Sequence, residues 1–162
     1  MQKKTIYIFW IAAFICLAFI IHIIMQTNQE KQLTPESNET LHRNTVILNA
    51  INHHYATYGY INNHKVKFIV DTGATSVSIP ESIAKTIGLK RGARYQAMTA
   101  NGKITIYRTY IDQLTIGSIT LNHVVASINP SSDDDYILLG MSALRRLEMQ
   151  QKNNQLILIQ NK

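Results

Sequence analysis

Cysteine is nearly missing from this 162-residue chain, and Cys16 is its only example. Neither an intrachain disulfide nor a multi-cysteine metal site can be built from one thiol. Acidic side chains are scarce too: 10 stand against 16 Lys and Arg, for a formal charge of +6. Charged residues make up 16% of the chain and apolar ones 46%, a balance that excludes a wholly disordered polymer. The basic surplus forms no stripe. From Thr45 onward 12 basic and 7 acidic residues are scattered, with Lys90, Arg91 and Arg94 the densest run. Such a spread reads as solvated surface rather than a nucleic-acid groove, so no nucleic-acid partner is expected. A Gly-rich phosphate loop is lacking, and no nucleophile elbow joins Ser76 or Ser78 to His123. His53, His54 and His64 are spaced unlike any standard zinc motif, so no metal or cofactor is expected.

One long hydrophobic run is present. Residues 6–25 contain a single residue, His22, that is neither aliphatic nor aromatic. Twenty helical residues reach about 30 Å, the thickness of a bilayer's hydrocarbon core. Tyr7 and Trp10 sit near the start of the run, and Lys3 and Lys4 precede it. By the positive-inside rule, residues 1–25 are a cytoplasmic stub and a signal-anchor helix, with the rest of the chain across the membrane. A cleaved signal peptide is the competing reading. Its apolar core would be about 7–15 residues and would end in a small-x-small site. This run is longer and ends Ile23-Ile24-Met25-Gln26, which favours an uncleaved anchor. Residues 26–44 are mostly polar, with Leu33 and Leu41 the only aliphatics, and read as a flexible linker.

Residues 45–162 are enough for one compact core and read as β-rich, with short strands and tight turns. Runs over 46–51, 55–61 and 65–70 read as strands, the last two joined at Asn62-Asn63, since Asn tolerates positive φ. A second hairpin joins 95–100 to 103–110 through Asn101-Gly102, the strongest short hairpin signal. In its second arm Ile104, Ile106 and Arg108 point one way, and Thr105, Tyr107 and Thr109 the other. Further strands are expected over 113–116, 119–128, 136–139 and 155–159. Two short helices are expected over 81–87 and 142–147. Pro80 serves as the first helical residue of the earlier one, and Gly88 ends it.

The chemistry lies in Asp71-Thr72-Gly73, directly after the apolar run Phe68-Ile69-Val70. A carboxylate there ends a buried strand in a poorly solvated place. Gly73 permits a sharp turn and a close approach. On the tripeptide alone, a structural Asp/Thr turn fits equally well.

The wider pattern shifts that balance. Residues 68–76, Phe-Ile-Val-Asp-Thr-Gly-Ala-Thr-Ser, resemble the active-site segment of retropepsin-like aspartic proteases. Ile137-Leu138-Leu139-Gly140, leading into Met141-Ser142-Ala143-Leu144, is similar to that family's second element. Thr99-Ala100-Asn101-Gly102 lies where the family has its flap. The order and spacing agree over 46–159, and the whole resembles the membrane-anchored, single-domain retropepsin-like proteases of Gram-negative bacteria.

That resemblance implies an all-β fold, a closed retropepsin-like half-barrel with a flap hairpin and one or two short helices, preceded by one transmembrane helix. It implies an aspartic endopeptidase acting on polypeptides from a single-pass inner-membrane anchor, its domain (45–162) periplasmic. Asp71 is then the catalytic acid/base. Thr72 braces the loop across a dimer, and Gly73 and Ala74 leave backbone groups free beside substrate. Ala100, Asn101 and Gly102 form the flap that closes over a bound peptide. Such proteases need two carboxylates sharing a proton, and this chain has one Asp-Thr-Gly. Asp112 and Asp133-Asp134-Asp135 lack the Thr-Gly that follows the catalytic residue, so a C2 homodimer is expected. A non-catalytic dimerisation or peptide-binding module is the alternative. A retained anchor predicts that the protein stays in the membrane pellet through a high-salt wash and needs detergent to leave it. Release by salt alone overturns the anchor.

Overall fold

The computed structural model describes residues 2–99 and 102–162, including side chains except those of residues 2–6 and 9. The chain divides into two compact units, Met1–Thr34 and Pro35–Lys162. The first is helix α1 (Gln2–Leu33), whose described residues 10–25 are apolar apart from His22 rather than apolar along one stripe. Over Trp10–Leu33 it is long and apolar enough to cross a membrane, with a mean hydropathy of 2.1.

The second unit is built from eleven strands and two short helices. In chain order these are β1 (Glu36–Glu39), β2 (Arg43–Ile51), β3 (His54–Ile61), β4 (His64–Val70) and β5 (Val77–Pro80). Helix α2 (Glu81–Thr86) precedes β6 (Arg94–Thr99), β7 (Gly102–Ile116), β8 (Ile119–Asn129) and β9 (Ile137–Leu139). Helix α3 (Met141–Leu144), β10 (Glu148–Lys152) and β11 (Gln155–Asn161) complete the chain.

The strands β3-β4-β9-β5-β8-β7 follow one another, and β7 pairs back onto β3 through Tyr60↔Thr115 and Ile61↔Leu114. This closes a barrel and removes the exposed edges of an open sheet. Phe68, Ile61, Ile79, Ile111, Leu114, Ile128, Ile137 and Leu139 fill it, each at most 1% exposed. The closure needs Gly59. A Cβ there would lie 2.8 Å from Phe68 Cε2 and would press on the Thr115 carbonyl oxygen. A smaller antiparallel layer, β1-β2-β11-β10, extends from the barrel through β2.

Turn chemistry explains the hairpins. Asn62 and Asn63 both take positive φ, 46° and 68°, as expected from sequence. Asn52-His53 and Asn153-Asn154 make the same kind of turn between β2 and β3 and between β10 and β11.

Several elements differ from expectation. The stretch 26–44 is not a featureless linker: α1 continues to Leu33 and β1 pairs with β2 from Glu36↔Ile47 to Glu39↔Asn44. A polar strand can form there because its backbone completes a sheet edge and need not bury apolar side chains. The C-terminus reinforces it. Lys162 Nζ lies 2.8 Å from Glu39 Oε1, and that hydrogen bond holds the Glu39 carboxyl below its usual range. Strands β5 and β10 were also unexpected, β5 being only four residues long and β10 exposed throughout. The runs 103–110 and 113–116 are one strand, β7. Its buried face changes phase at Asp112 and Gln113, both exposed, opposite the positive-φ His123 of β8. Pro80 is the last residue of β5 and the N-cap of α2, with ψ 143°, rather than a helical residue. Helix α3 is shorter than 142–147.

Gly59→Ala is expected to cost about 1–3 kcal/mol by overpacking the closure. Thermal unfolding of the detergent-solubilised chain should show a drop of several degrees in Tm. An unchanged Tm would mean that the β3–β7 contact is not tight.

Candidate active site

Strand β4 runs parallel to β9, with Phe68↔Ile137, Ile69↔Leu138 and Val70↔Leu139 in register. The paired segments, Phe68-Ile69-Val70 of β4 and Ile137-Leu138-Leu139 of β9, are apolar and at least half-buried. The ladder goes one step further, where the Asp71 N–H donates to the Leu139 carbonyl at 3.1 Å. There the chain turns. Asp71 Oδ1 accepts the Gly73 N–H at 2.8 Å, and the Asp71 carbonyl accepts the Ala74 N–H at 3.3 Å. The half-buried carboxylate is thus oriented by its own loop.

The loop is fastened from behind. The Met141 N–H donates to the Ala74 carbonyl at 2.8 Å. Gly140 permits this approach, since a Cβ on it would lie 2.7 Å from the Ala74 carbonyl oxygen. Ser142 Oγ accepts the Val77 N–H at 3.0 Å and donates to the Val125 carbonyl at 2.7 Å. Ser76 Oγ meets the Oγ of the buried Ser127 at 3.0 Å. One hydroxyl from α3 and one from β8 therefore pin the segment that follows Asp71.

In front of the loop lies a cleft of about 820 Å³. Asp71, Gly73 and Ala74 line its floor. The β6–β7 hairpin lines the opposite side, with Tyr95, Ala97, Met98 and Thr99 from one strand and Ile104, Ile106 and Arg108 from the other. The hairpin is regular from Arg94↔Tyr107 to Thr99↔Gly102. Thr99 Oγ1 donates to the Gly102 carbonyl at 2.9 Å, and Gly102 takes a φ of +104° that other residues rarely adopt. Gly102 is half-buried, whereas Ala100 and Asn101 lie outside the described residues. Ile104, Ile106 and Arg108 share the cleft side of β7, as the alternation in sequence predicts.

Thr72 and Gly73 are exposed, and Thr72 is not among the cleft-lining residues. The Gly73 and Ala74 N–H groups are engaged inside the loop, and the Ala74 C=O is taken by the Met141 N–H of α3. Asp133-Asp134-Asp135 stand away from the cleft, with Asp134 accepting from Ser132 Oγ at 2.6 Å and Asp135 3.8 Å from Lys67 Nζ. Arg146 donates to the Asn122 carbonyl at 2.7 Å, while Arg145 lines the cleft. Sequence reasoning missed Ser127 and Ser142. Their partners lie 17 to 65 positions away, so no local pattern reveals them. Among the described residues no group of three or more His, Cys, Asp or Glu is placed to hold a metal ion.

The family described as "gag-polyprotein putative aspartyl protease" matches residues 57–146, which enclose the loop, the hairpin and α3. A Sinorhizobium sp. protein, described as "Uncharacterized protein in cobV 5′ region", is 31% identical over 109 residues. That match covers 65% of this chain and 47% of the relative, so the chain spans about half the relative's length. The crystal structure of a retropepsin-like aspartic protease from Rickettsia conorii is similar with a TM-score of 0.62 and 26% identity. It covers 78% of this chain and 96% of that one. EIAV protease complexed with the inhibitor HBY-793 is more distant, at 17% identity and a TM-score of 0.47, over 59% of this chain and 88% of that one. With the family match spanning 90 residues and the barrel, loop and hairpin agreeing with it, the chain belongs to the gag-type aspartyl protease family and has the retropepsin-like fold.

Proposed function

We propose that the protein is a membrane-anchored aspartic endopeptidase whose catalytic unit is a homodimer. The observation that carries this reading is the cleft itself. Asp71 is the only acidic side chain lining it among the described residues, and hydrolysis by this chemistry needs two. A second copy related by a two-fold axis supplies the other carboxylate.

Two carboxylates about 3 Å apart cannot both ionise, so the pair holds one proton between them. The ionised member takes a proton from a water molecule. The protonated member donates to the scissile carbonyl oxygen as the water oxygen bonds to the carbonyl carbon. A tetrahedral diol results, and its collapse expels the amine, which takes up a proton from the dyad. The pair titrates as a unit, and no single value belongs to either copy. An extended peptide lies between the loop and the β6–β7 hairpin, with alternate side chains facing the hairpin. The hairpin excludes water from the reacting bond. Helix α1 supports an anchored placement, with the N-terminus cytoplasmic and the domain on the periplasmic side of the inner membrane. Confinement to a surface raises the effective concentration of the partner copy.

Asp71→Asn keeps the shape but cannot shuttle the proton. With the detergent-solubilised chain and mixed peptides at about pH 4–7, it should lower kcat/KM by about 10²–10⁴-fold. An identical fragment pattern from both proteins ends the peptidase reading and leaves the peptide-binding module.

Mixing tests the shared site separately. Equal amounts of wild type and Asp71→Asn, co-solubilised and re-equilibrated, should retain about a quarter of the wild-type activity, because only wild-type pairs are complete. Retention of about half places a full site in each chain.

A further inference from the structure

We infer that the cleft selects peptides carrying an Asp or Glu side chain, with Arg108 as the specificity-determining residue. This rests on the peptidase reading above and adds the class of substrate to it.

Arg108 follows Ile104 and Ile106 on the cleft side of β7 and faces Ser127 of β8 across the ladder. Its guanidinium carbon lies 6.0 Å from the centre of the Tyr95 ring, which also lines the cleft. That ring gives the cation a flat support without neutralising it. Elsewhere on this unit several cations have carboxylate partners: Arg91 and Lys85 on Glu81, Lys67 on Asp135, and Lys162 on Glu39. Among the described residues Arg108 has no such partner, and neither has Arg145, which lines the same cleft. Among the described residues the cleft is therefore lined by two arginines and by the single carboxylate of Asp71. Pairing two copies keeps the imbalance, since the shared proton leaves one negative charge on the dyad.

A guanidinium is always charged and offers a planar fork of donors that fits a carboxylate with two hydrogen bonds. An extended peptide presents side chains to one face at every second residue, about 7 Å apart. Ile106 and Arg108 repeat at that spacing along β7. A peptide lying beneath the hairpin thus meets an apolar surface beside a cation. An acidic side chain fills that place, whereas Lys or Arg is repelled from it.

The test uses the full chain in detergent and peptides blocked at both ends, so that a side chain is the only anion. Matched peptides carry Glu, Gln or Lys at each position flanking the cut in turn. Cleavage by the wild type should favour Glu over Gln by about three- to tenfold in kcat/KM at one or more positions, and less in high salt. Arg108→Gln should bring the Glu/Gln ratio close to one, Arg108→Glu should favour Lys, and Arg108→Lys should restore part of the Glu preference. A wild-type ratio near one at every position overturns the inference while leaving the peptidase reading intact. So does a Glu preference that survives Arg108→Gln. A free C-terminus on the Gln peptide shows whether a terminal carboxylate acts instead. A gain there with none from Glu also overturns the inference. If no peptide is cut, binding of the same peptides to Asp71→Asn, read by fluorescence anisotropy, decides it by the same ratios.

Discussion

Two strands whose apolar ends lie side by side set the rest of this structure in place. β4 and β9 run parallel, and both stop where the Asp71 N–H meets the Leu139 carbonyl at 3.1 Å. From that point two chains must leave a crowded spot in different directions. One turns on the Asp71 side chain. The other passes so close behind that only glycine fits at position 140, with the Ala74 carbonyl oxygen 2.7 Å from any Cβ placed there. The carboxylate stays at the barrel mouth because the ladder that carries it ends there. The hydroxyls of Ser142 and Ser127 then hold the following residues on α3 and β8. These contacts add rigidity rather than chemistry, and rigidity is what a preorganised carboxylate needs.

The turn expected of a merely structural Asp is present, since Asp71 Oδ1 accepts the Gly73 N–H. This does not compete with a catalytic role. A carboxylate accepting a backbone N–H is held in one rotamer, and a held rotamer is what a symmetric partner must meet. The cleft supports the catalytic reading, because a structural Asx turn needs no hairpin lining the same cleft as its carboxylate. Here residues 95–99 of β6 and Ile104, Ile106 and Arg108 of β7 line that cleft.

Most of the site was legible in sequence, and the fold less so. Asp71, the Gly140 element and the hairpin around Gly102 are each specified by residues next to one another, so local patterns expose them. That Ile104, Ile106 and Arg108 share one side of β7 followed from alternation alone, but not that this side faces the cleft. The elements missed were those whose formation depends on distant partners. β1 is polar and exposed, and only its backbone pairing with β2 and the Lys162–Glu39 contact make it a strand. β10 likewise has no buried side chain. The phase change at Asp112 and Gln113 mimicked a strand break, because two neighbouring exposed residues end an alternating pattern whether or not the ladder ends. Ser142 was passed over because its partners, Val77 and Val125, lie far off in the chain.

A site completed only by a second copy ties activity to encounter. Where pairing is weak, the population of complete sites rises with the square of the local density of chains. In the proposed reading, an apolar helix confining each copy to a bilayer would convert a search in three dimensions into one across a surface. The same helix imposes a limit, because tethered copies meet only if their two-fold axis is compatible with both anchors lying in one membrane.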